Sequence, residues 1–377
     1  EINAPCLARL RAAMCHDRMD YLLLTDHPDS FGDIPFEDSF LHAEGDTWVP
    51  GPPGEPPLTN RIACPDGRAV LLAPGSEGDL MPVMFQRKPE RALLRDASPE
   101  GAAGLRDAGA FVLQAHIERF TADELAPLGL DGIEIYNLHA NLDPRGELRQ
   151  LGEVLPDVSD WIGAGVRGPH PDLAFLAVYR PNHLALEAWD GLTPRGRMMG
   201  FAGSDIHENL PPLLRPLDGD RIDSYRRLGA WFSNYLLVSD VTYEAVREAV
   251  GAHRLFVTFD ILGPPDGFDW HAETAAGAVV EMGDEVALAE GVTLRATPPT
   301  AGEGSPRALV LRRVDADGPV EVARVEDGPL TFEVDRPGVY RLEVWITPEH
   351  LRGDLRDFAD RFIRPLVWIY ANPIYVR

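Results

Sequence analysis

Five apolar runs of strand length mark the first part of the chain, and each runs into a polar side chain that can hold a metal or a substrate. They lie at residues 21–25, 69–73, 111–115, 132–136 and 200–203. Continuous apolar runs bounded by turn residues are typical of strands buried in a parallel sheet. Apolar positions at helical spacing predict helices over residues 4–19, 86–108, 121–127, 145–164 and 241–251.

Beyond residue 263 the pattern changes to alternating polar and apolar positions. Such runs occur at residues 278–282, 292–297, 308–314, 320–325, 330–334 and 339–345, separated by Gly, Pro and Asp turns. This periodicity predicts a small antiparallel β sandwich. We therefore expect an α/β domain over residues 1–263 and a β-rich domain over 264–377, with an apolar tail at 366–370 that packs back on the rest.

Residues 28–68 are rich in proline, glycine and acidic side chains and predict a long surface excursion. Excursions from a rigid scaffold often shape a substrate pocket, so we include His42 among the substrate-binding candidates.

The charge balance narrows the range of partners. Lysine and arginine number 35 against 60 aspartates and glutamates, which gives a net charge of −25 over 377 residues. Nucleic acid and anionic membranes require a basic surface, so neither is an expected partner. A small anionic substrate stays compatible, because bound cations can invert the local potential. The chain has no apolar run long enough for a membrane span, and the compartment and the oligomeric state stay open.

The three cysteines, Cys6, Cys15 and Cys64, match no zinc-finger or redox spacing. Their odd number leaves at least one thiol unpaired, and we expect buried or idle thiols at these positions.

The fifth run carries the first chemical signal, in Asp205 and His207. Residues two apart point to the same face of a strand, so both side chains can reach one point past its end. A carboxylate oxygen beside an imidazole nitrogen suits zinc, manganese or iron. The competing interpretation is structural: Asp205 caps a following helix and His207 is an ordinary loop histidine.

Taken in order, the strand ends resemble those of the PHP superfamily, named for polymerase and histidinol phosphatase domains. The resemblance is carried by Leu24-Thr25-Asp26-His27, Pro74-Gly75-Ser76-Glu77, Ala115-His116, Gly132-Ile133-Glu134-Ile135-Tyr136-Asn137 and Gly203-Ser204-Asp205-Ile206-His207. The closing Asn372-Pro373-Ile374-Tyr375-Val376 resembles stand-alone phosphoesterase-like members with a β-rich C-terminal part. The resemblance covers residues 1–263 well and the remainder loosely.

This resemblance implies a distorted (β/α)₇ barrel with two or three divalent metal ions (Mn, Zn or Fe) at its C-terminal mouth. By position, the implied ligands are His27, Glu77, His116, Asp205 and His207, with Glu77 as the bridging carboxylate. Asp26 would orient His27. The family also begins with a strand ending in His-x-His, a pair this sequence does not contain. If the protein lacks that pair, five ligands suit one or two metals better than three.

The leading functional hypothesis is a phosphoesterase that uses a metal-activated water on a small-molecule substrate. The same chemistry would hydrolyse a carboxylic ester, an amide or a carbamate, and some relatives with this β-rich addition resemble carbaryl hydrolases. A catalytically silent binding module is the third hypothesis.

Other residues complete the candidate site. Asp26, Glu77 and His139 are the catalytic candidates, since His139 follows the strand end at Asn137 by two positions. Arg119, Asn137 and His42 are the candidates for substrate binding. Glu134 points away from Ile133 and Ile135 within its strand, and a buried carboxylate there needs a partner; we expect it to support the site.

Overall fold

The computed structural model describes residues 3–17, 19–138, 156, 159–161, 163–165, 168–208, 215–216 and 218–377. The fold is mixed α/β, with helix and strand in about equal amounts and three sheets that are not closed. Its strands are β1 (Tyr21–Asp26), β2 (Thr47–Val49), β3 (Thr59–Ala63), β4 (Ala69–Ser76), β5 (Met81–Val83), β6 (Phe111–Gln114), β7 (Gly132–Asn137), β8 (Met199–Gly203), β9 (Ser233–Leu236), β10 (Leu255–Thr258), β11 (Asp269–Thr274), β12 (Val279–Glu281), β13 (Glu285–Val286), β14 (Val292–Thr297), β15 (Arg307–Asp315), β16 (Gly318–Glu326), β17 (Leu330–Glu333), β18 (Gly338–Ile346) and β19 (Leu366–Val376). The described α-helices are α1 (Ala4–His16), α2 (Pro28–Asp33), α3 (Pro99–Asp107), α4 (Ala122–Leu125), α5 (His183–Leu192), α6 (Tyr225–Gly229), α7 (Tyr243–Ala252), α8 (Arg352–Leu355) and α9 (Ala359–Phe362).

An eight-stranded sheet carries all five predicted apolar runs, which confirms them as strands. Its order is β2-β3-β4-β5-β6-β7-β8, and β1 pairs in parallel with β4. Strand β5 lies antiparallel between β4 and β6, and β6, β7 and β8 are parallel. Strands β1, β4, β6, β7 and β8 therefore run in one direction, and their C-terminal ends share one edge.

The expected distorted (β/α)₇ barrel is not confirmed, because the sheet is not closed and its backbone ladder ends at β8. Two asparagine side chains continue the bonding there. Asn372 accepts a hydrogen bond from Gly200 N–H at 2.7 Å and donates to the Gly200 carbonyl at 2.9 Å. Asn234 makes the same pair of bonds with Ala202. Side-chain amides thus join β8 to β9 and β19, which belong to the second sheet.

The second sheet has seven strands in the order β16-β15-β18-β19-β10-β9, with β13 paired to β19. Strands β9 and β10 precede residue 263, so this sheet draws on both sides of the expected domain boundary. All eleven residues of β19 are buried, and this strand pairs with β18 and β10. The third sheet, in the order β12-β11-β14-β17, contributes Trp270, Leu294 and Leu330 to the hydrophobic cluster that also contains residues of the second sheet.

Some elements differ from the predicted pattern. Of residues 86–108, only α3 is α-helical; a 3-10 turn precedes it, and Ser98 caps its start with Pro99 as the first helical residue. The excursion at 28–68 contains α2 and the β2–β3 hairpin, which extends the first sheet. Most of the predicted helix at 145–164 lies outside the described residues.

The expectation of idle thiols is wrong for two of the three cysteines. Cys15 and Cys64 form a disulfide that links the end of α1 to the residue after β3, and Cys6 is free. Among the helices that the structure describes, none is both long and apolar enough to cross a membrane.

Candidate metal centre

Three strands of the first sheet each deliver one ionisable side chain to the same edge. Glu77 directly follows β4, and its N–H donates to the carbonyl of Asp26 at the end of β1, at 2.9 Å. His116 lies two residues after β6, and Asp205 two residues after β8. Because these strands run in one direction, the three side chains meet where α/β sheets commonly bind ligands.

These three residues, the central trio, are half-buried and converge closely. His116 Nε2 lies 3.1 Å from Glu77 Oε1 and 3.8 Å from Asp205 Oδ2. One ligand atom from each residue lies within 4.8 Å of the other two. One imidazole nitrogen and two carboxylate oxygens form a donor set suited to Zn²⁺, Mn²⁺ or Fe²⁺.

The backbone at two members of the trio is unusual. His116 has a φ of 51° and Asp205 a φ of 48°, both in the left-handed region. Non-glycine residues adopt this region rarely, and such residues cluster at functional sites. Both candidate ligands are therefore held, in the turns after β6 and β8, by a backbone conformation that is uncommon for residues other than glycine.

Glu134, in β7, contacts the backbone near two members of the central trio. It is buried, and its Oε2 accepts hydrogen bonds from His116 N–H at 2.9 Å and from Asn137 Nδ2 at 3.1 Å. On the other side its carboxylate lies against Gly203, where an added Cβ would be 1.9 Å from Glu134 Oε1. One carboxylate thus contacts the two turns that present His116 and Asp205.

The charge around His116 is predominantly negative. Its hydrogen bond to Glu77 raises the pKa of the imidazole, and the charges of Glu134, Glu77 and Asp205 act in the same direction. Burial raises the pKa of the Glu134 carboxyl. Glu118 adds a fourth carboxylate, with Oε1 3.8 Å from His116 Nδ1. A divalent cation at the trio would offset this surplus of negative charge, so the residues present fit a metal.

Two further predicted ligands lie beside the trio. His207 Nδ1 is 3.0 Å from Asp205 Oδ1, and this contact raises the pKa of His207. The His27 ring lies edge-on to the His207 ring, with 5.5 Å between centroids. Asp26 is exposed, and its Oδ1 accepts from the backbone N–H of His27 at 2.7 Å. Both imidazoles thus border the trio on its Asp205 side.

The substrate-binding candidates lie apart from one another. Asn137 is buried against Glu134. His42 stacks on Trp48 at 4.1 Å and contacts Asn60, beside the β2–β3 hairpin. Arg119 lines a cavity whose walls include none of the central trio. The remaining catalytic candidate, His139, lies outside the described residues.

Sequence reasoning gave no role to Glu118 or Gly203. Glu118 is only 4% exposed although it is charged, and it lies two residues after a predicted ligand. The spacing from His116 indicates that Glu118 lies near the site, but a short turn has no periodicity from which the burial of Glu118 could be inferred. Gly203 could be read only as a turn glycine, because its contact with Glu134 joins two different strands.

Comparison with known proteins adds no relative: no family model, curated protein or solved structure matches the chain.

Proposed function

We propose that the chain is a metal-dependent hydrolase of the PHP type whose preferred substrates are small phosphate esters. The observation that carries the proposal is the meeting of Glu77, His116 and Asp205, from the ends of three co-directional strands, within 4.8 Å of one another. The proposed architecture is a distorted PHP barrel, completed at β8 by the asparagine side chains, followed by a β sandwich.

In this proposal Glu77, His116 and Asp205 would hold one cation, and His207 and His27 would supply ligands for a second. When bound, such cations would acidify water and withdraw electron density from a phosphoryl or carbonyl oxygen. The chain's own part is positioning. Glu134 fixes the turns of His116 and Asp205, and Glu118 faces the far nitrogen of His116, as partners of ligand imidazoles commonly do.

One observation favours the ester, amide or carbamate alternative as a second candidate. Glu118 adds a carboxylate beside the trio, and the whole chain carries a net charge of −25. A neutral substrate meets no repulsion from this field, whereas a phosphate ester depends on the bound cations to overcome it.

The test combines metal content with substrate choice. The purified full-length chain is analysed by elemental analysis and anomalous scattering, then assayed with manganese, zinc or iron. The substrates are p-nitrophenyl phosphate, bis-p-nitrophenyl phosphate, p-nitrophenyl acetate and naphthyl carbamates. We expect metal at the trio and turnover of the phosphate esters. Turnover of carboxyl esters or carbamates alone would select the second candidate, and a protein that binds no metal would refute both.

Two variants connect the activity to the trio. Asparagine tolerates the left-handed backbone, so His116→Asn and Asp205→Asn remove a ligand without new backbone strain. We expect each to lose bound metal and to lower hydrolysis beyond the roughly 100-fold loss typical of outer-shell changes. His271→Asn, on β11 of the third sheet, is the matched control and should keep both. Full metal content and rate in either trio variant would contradict the ligand assignment.

A further inference from the structure

The cavity that Arg119 lines lies between helix α5 and the seven-stranded sheet, with a volume of about 1250 Å³. Its floor is formed by side chains of β15, β18 and β19 and its wall by α5 and the turn after His116. The imidazole of His116 separates it from the candidate metal centre. Nε2 faces Glu77 and Asp205, whereas Nδ1 faces Glu118, which lines the cavity.

A buried network of charges holds the floor together. Arg341 donates through Nε and Nη2 to the two oxygens of Asp190, at 2.7 and 2.9 Å, and through Nη1 to Glu343 Oε1 at 2.5 Å. Trp345 Nε1 donates to the other oxygen of Glu343 at 2.9 Å. Asp190, Arg341 and Glu343 are each less than 5% exposed. The carboxylates of Asp190 and Glu343 therefore already accept hydrogen bonds from protein donors, so a ligand need not supply a donor to them.

Two residues at the floor keep hydrogen-bond donors that this network does not use. The hydroxyl of Tyr370 is buried, with the residue only 2% exposed, and it has no hydrogen-bond partner among the described residues. Arg312 donates through Nε to Glu343 at 2.9 Å, and within the described part of the chain its two terminal NH₂ groups make no hydrogen bond. A buried polar group without a partner costs free energy, so a ligand acceptor there would be stabilising.

Apolar side chains supply the larger part of the remaining lining, beside charged groups that include Arg119 and Arg195. Phe120, Leu184, Leu186, Val367 and the ring of Trp345 surround the approach to the floor. Such a combination, apolar walls with a few convergent polar groups, is typical of small-molecule sites. Of the acidic side chains at the rim, Glu187 and Asp317 are exposed, so solvent and salt screen them more than they screen Arg312. A third, Asp315, is paired with Arg313 at 3.2 Å.

From this arrangement we propose that the cavity binds an amphipathic organic monoanion, with its carboxylate on Arg312 and Tyr370 and its apolar body against Phe120 and Trp345. The site is distinct from the candidate metal centre, since no member of the central trio lines it, and Glu118 borders both.

The experiment is isothermal titration calorimetry of the full chain with three probes that share one apolar body: 1-naphthoate, 1-naphthylmethanol and 1-naphthylmethylammonium. We expect saturable binding of 1-naphthoate, with the neutral and cationic probes weaker by about tenfold or more. No saturable binding of 1-naphthoate below about 1 mM, or equal or tighter binding of the ammonium, would overturn the proposal.

Two variants locate the probe. Tyr370→Phe removes a hydroxyl that has no partner among the described residues, so the fold should be unaffected while affinity for 1-naphthoate falls several-fold. Arg312→Gln should lower it by about tenfold or more. Tyr243→Phe, a buried tyrosine of α7 outside the cavity, is the matched control and should bind normally. Wild-type affinity in both Tyr370→Phe and Arg312→Gln would place the probe elsewhere and refute the site.

Discussion

At the scale of single residues, the candidate metal centre depends on one carboxylate and one glycine. Glu134 Oε2 accepts a hydrogen bond from the N–H of His116. Glu134 Oε1 occupies the space that a side chain at Gly203 would fill. The absence of a side chain at Gly203 therefore keeps the turn of Asp205 close to the turn of His116. A buried acid in mid-strand costs free energy unless it is bonded, which explains why Glu134 lies where two polar partners, His116 N–H and Asn137 Nδ2, reach it.

We predict that Gly203→Ala destabilises the protein by about 1–3 kcal/mol, because the new methyl group overlaps Glu134 Oε1. The displaced carboxylate should also move the turns of His116 and Asp205 and weaken metal retention. Urea unfolding and elemental analysis measure the two effects. Gly196→Ala is the control, because no atom of the described residues lies within 4 Å of an added Cβ there. Equal stability of the two variants would show that Glu134 moves aside freely.

A second residue-scale prediction concerns His253, which ends α7 with a left-handed backbone and is 8% exposed. Burial, assisted by the charge of Arg197, lowers its pKa to about 4. Because the folded pKa is below the unfolded value of about 6.5, its contribution to stability is present above pH 6.5 and is lost as the pH falls through 4. That loss amounts to about 3 kcal/mol.

The difference between wild type and His253→Asn isolates this titration, since asparagine tolerates the left-handed backbone and does not ionise. Urea unfolding at several pH values from 7.5 to 4 should show the wild type losing stability faster than the variant. Parallel pH profiles would mean that His253 is protonated as easily in the folded state as in the unfolded state.

At the scale of elements, β8 is held by side chains where a closed barrel would use a neighbouring strand. Asn372 is fully buried and makes hydrogen bonds to both backbone groups of Gly200 and to the carbonyl of Leu255. We predict that Asn372→Ala costs about 3 kcal/mol or more, because it leaves three buried backbone groups without partners. Asn234→Ala, at a half-buried position, should cost less, because water can replace its two bonds.

Hydrogen exchange gives the sharper readout for this pair. The Gly200 amide should exchange faster in Asn372→Ala, and the Ala202 amide faster in Asn234→Ala, each with little change at the other position. If neither amide changes, the asparagines do not hold β8.

The elements themselves were predictable to an unequal degree. The runs that became β1, β4, β6, β7 and β8 are apolar and bounded by turns, and burial on both faces of a parallel sheet produces that pattern. Strands β5 and β9 have three and four residues, too few to show a period. The β2–β3 hairpin lies among prolines and glycines, and its strands form because a neighbouring strand is available to pair with.

At the scale of the whole molecule, the candidate site also divides into a part that the sequence pattern predicts and a part that depends on packing between distant elements. The strand ends, and the PHP resemblance that they carry, predict Glu77, His116 and Asp205 among five ligands, and the parallel direction of the strands brings these three to one edge. Sequence order could not show that Arg119 turns toward a different cavity, or that His42 stacks on Trp48. Those placements depend on packing between elements far apart in the chain.

The disulfide gives the last prediction, because it constrains the N-terminal part of the molecule as a unit. Cys15 and Cys64 are separated by 49 residues, a segment that includes β1, α2 and the β2–β3 hairpin. In the chain-entropy treatment, closing a loop of this length stabilises the folded state by about 4 kcal/mol. We predict that Cys15→Ser and Cys64→Ser each lose about this much in urea unfolding. Reductant should lower the wild type to the same level and leave both variants unchanged. Cys6→Ser removes the free thiol and is the control, which should unfold like the wild type without reductant and show the same loss with it. Because the stabilisation comes from the link and not from the thiols, a Cys15→Ser/Cys64→Ser double variant should be no less stable than either single one. A wild type that is insensitive to reductant under unfolding conditions would show that the bond does not form in solution.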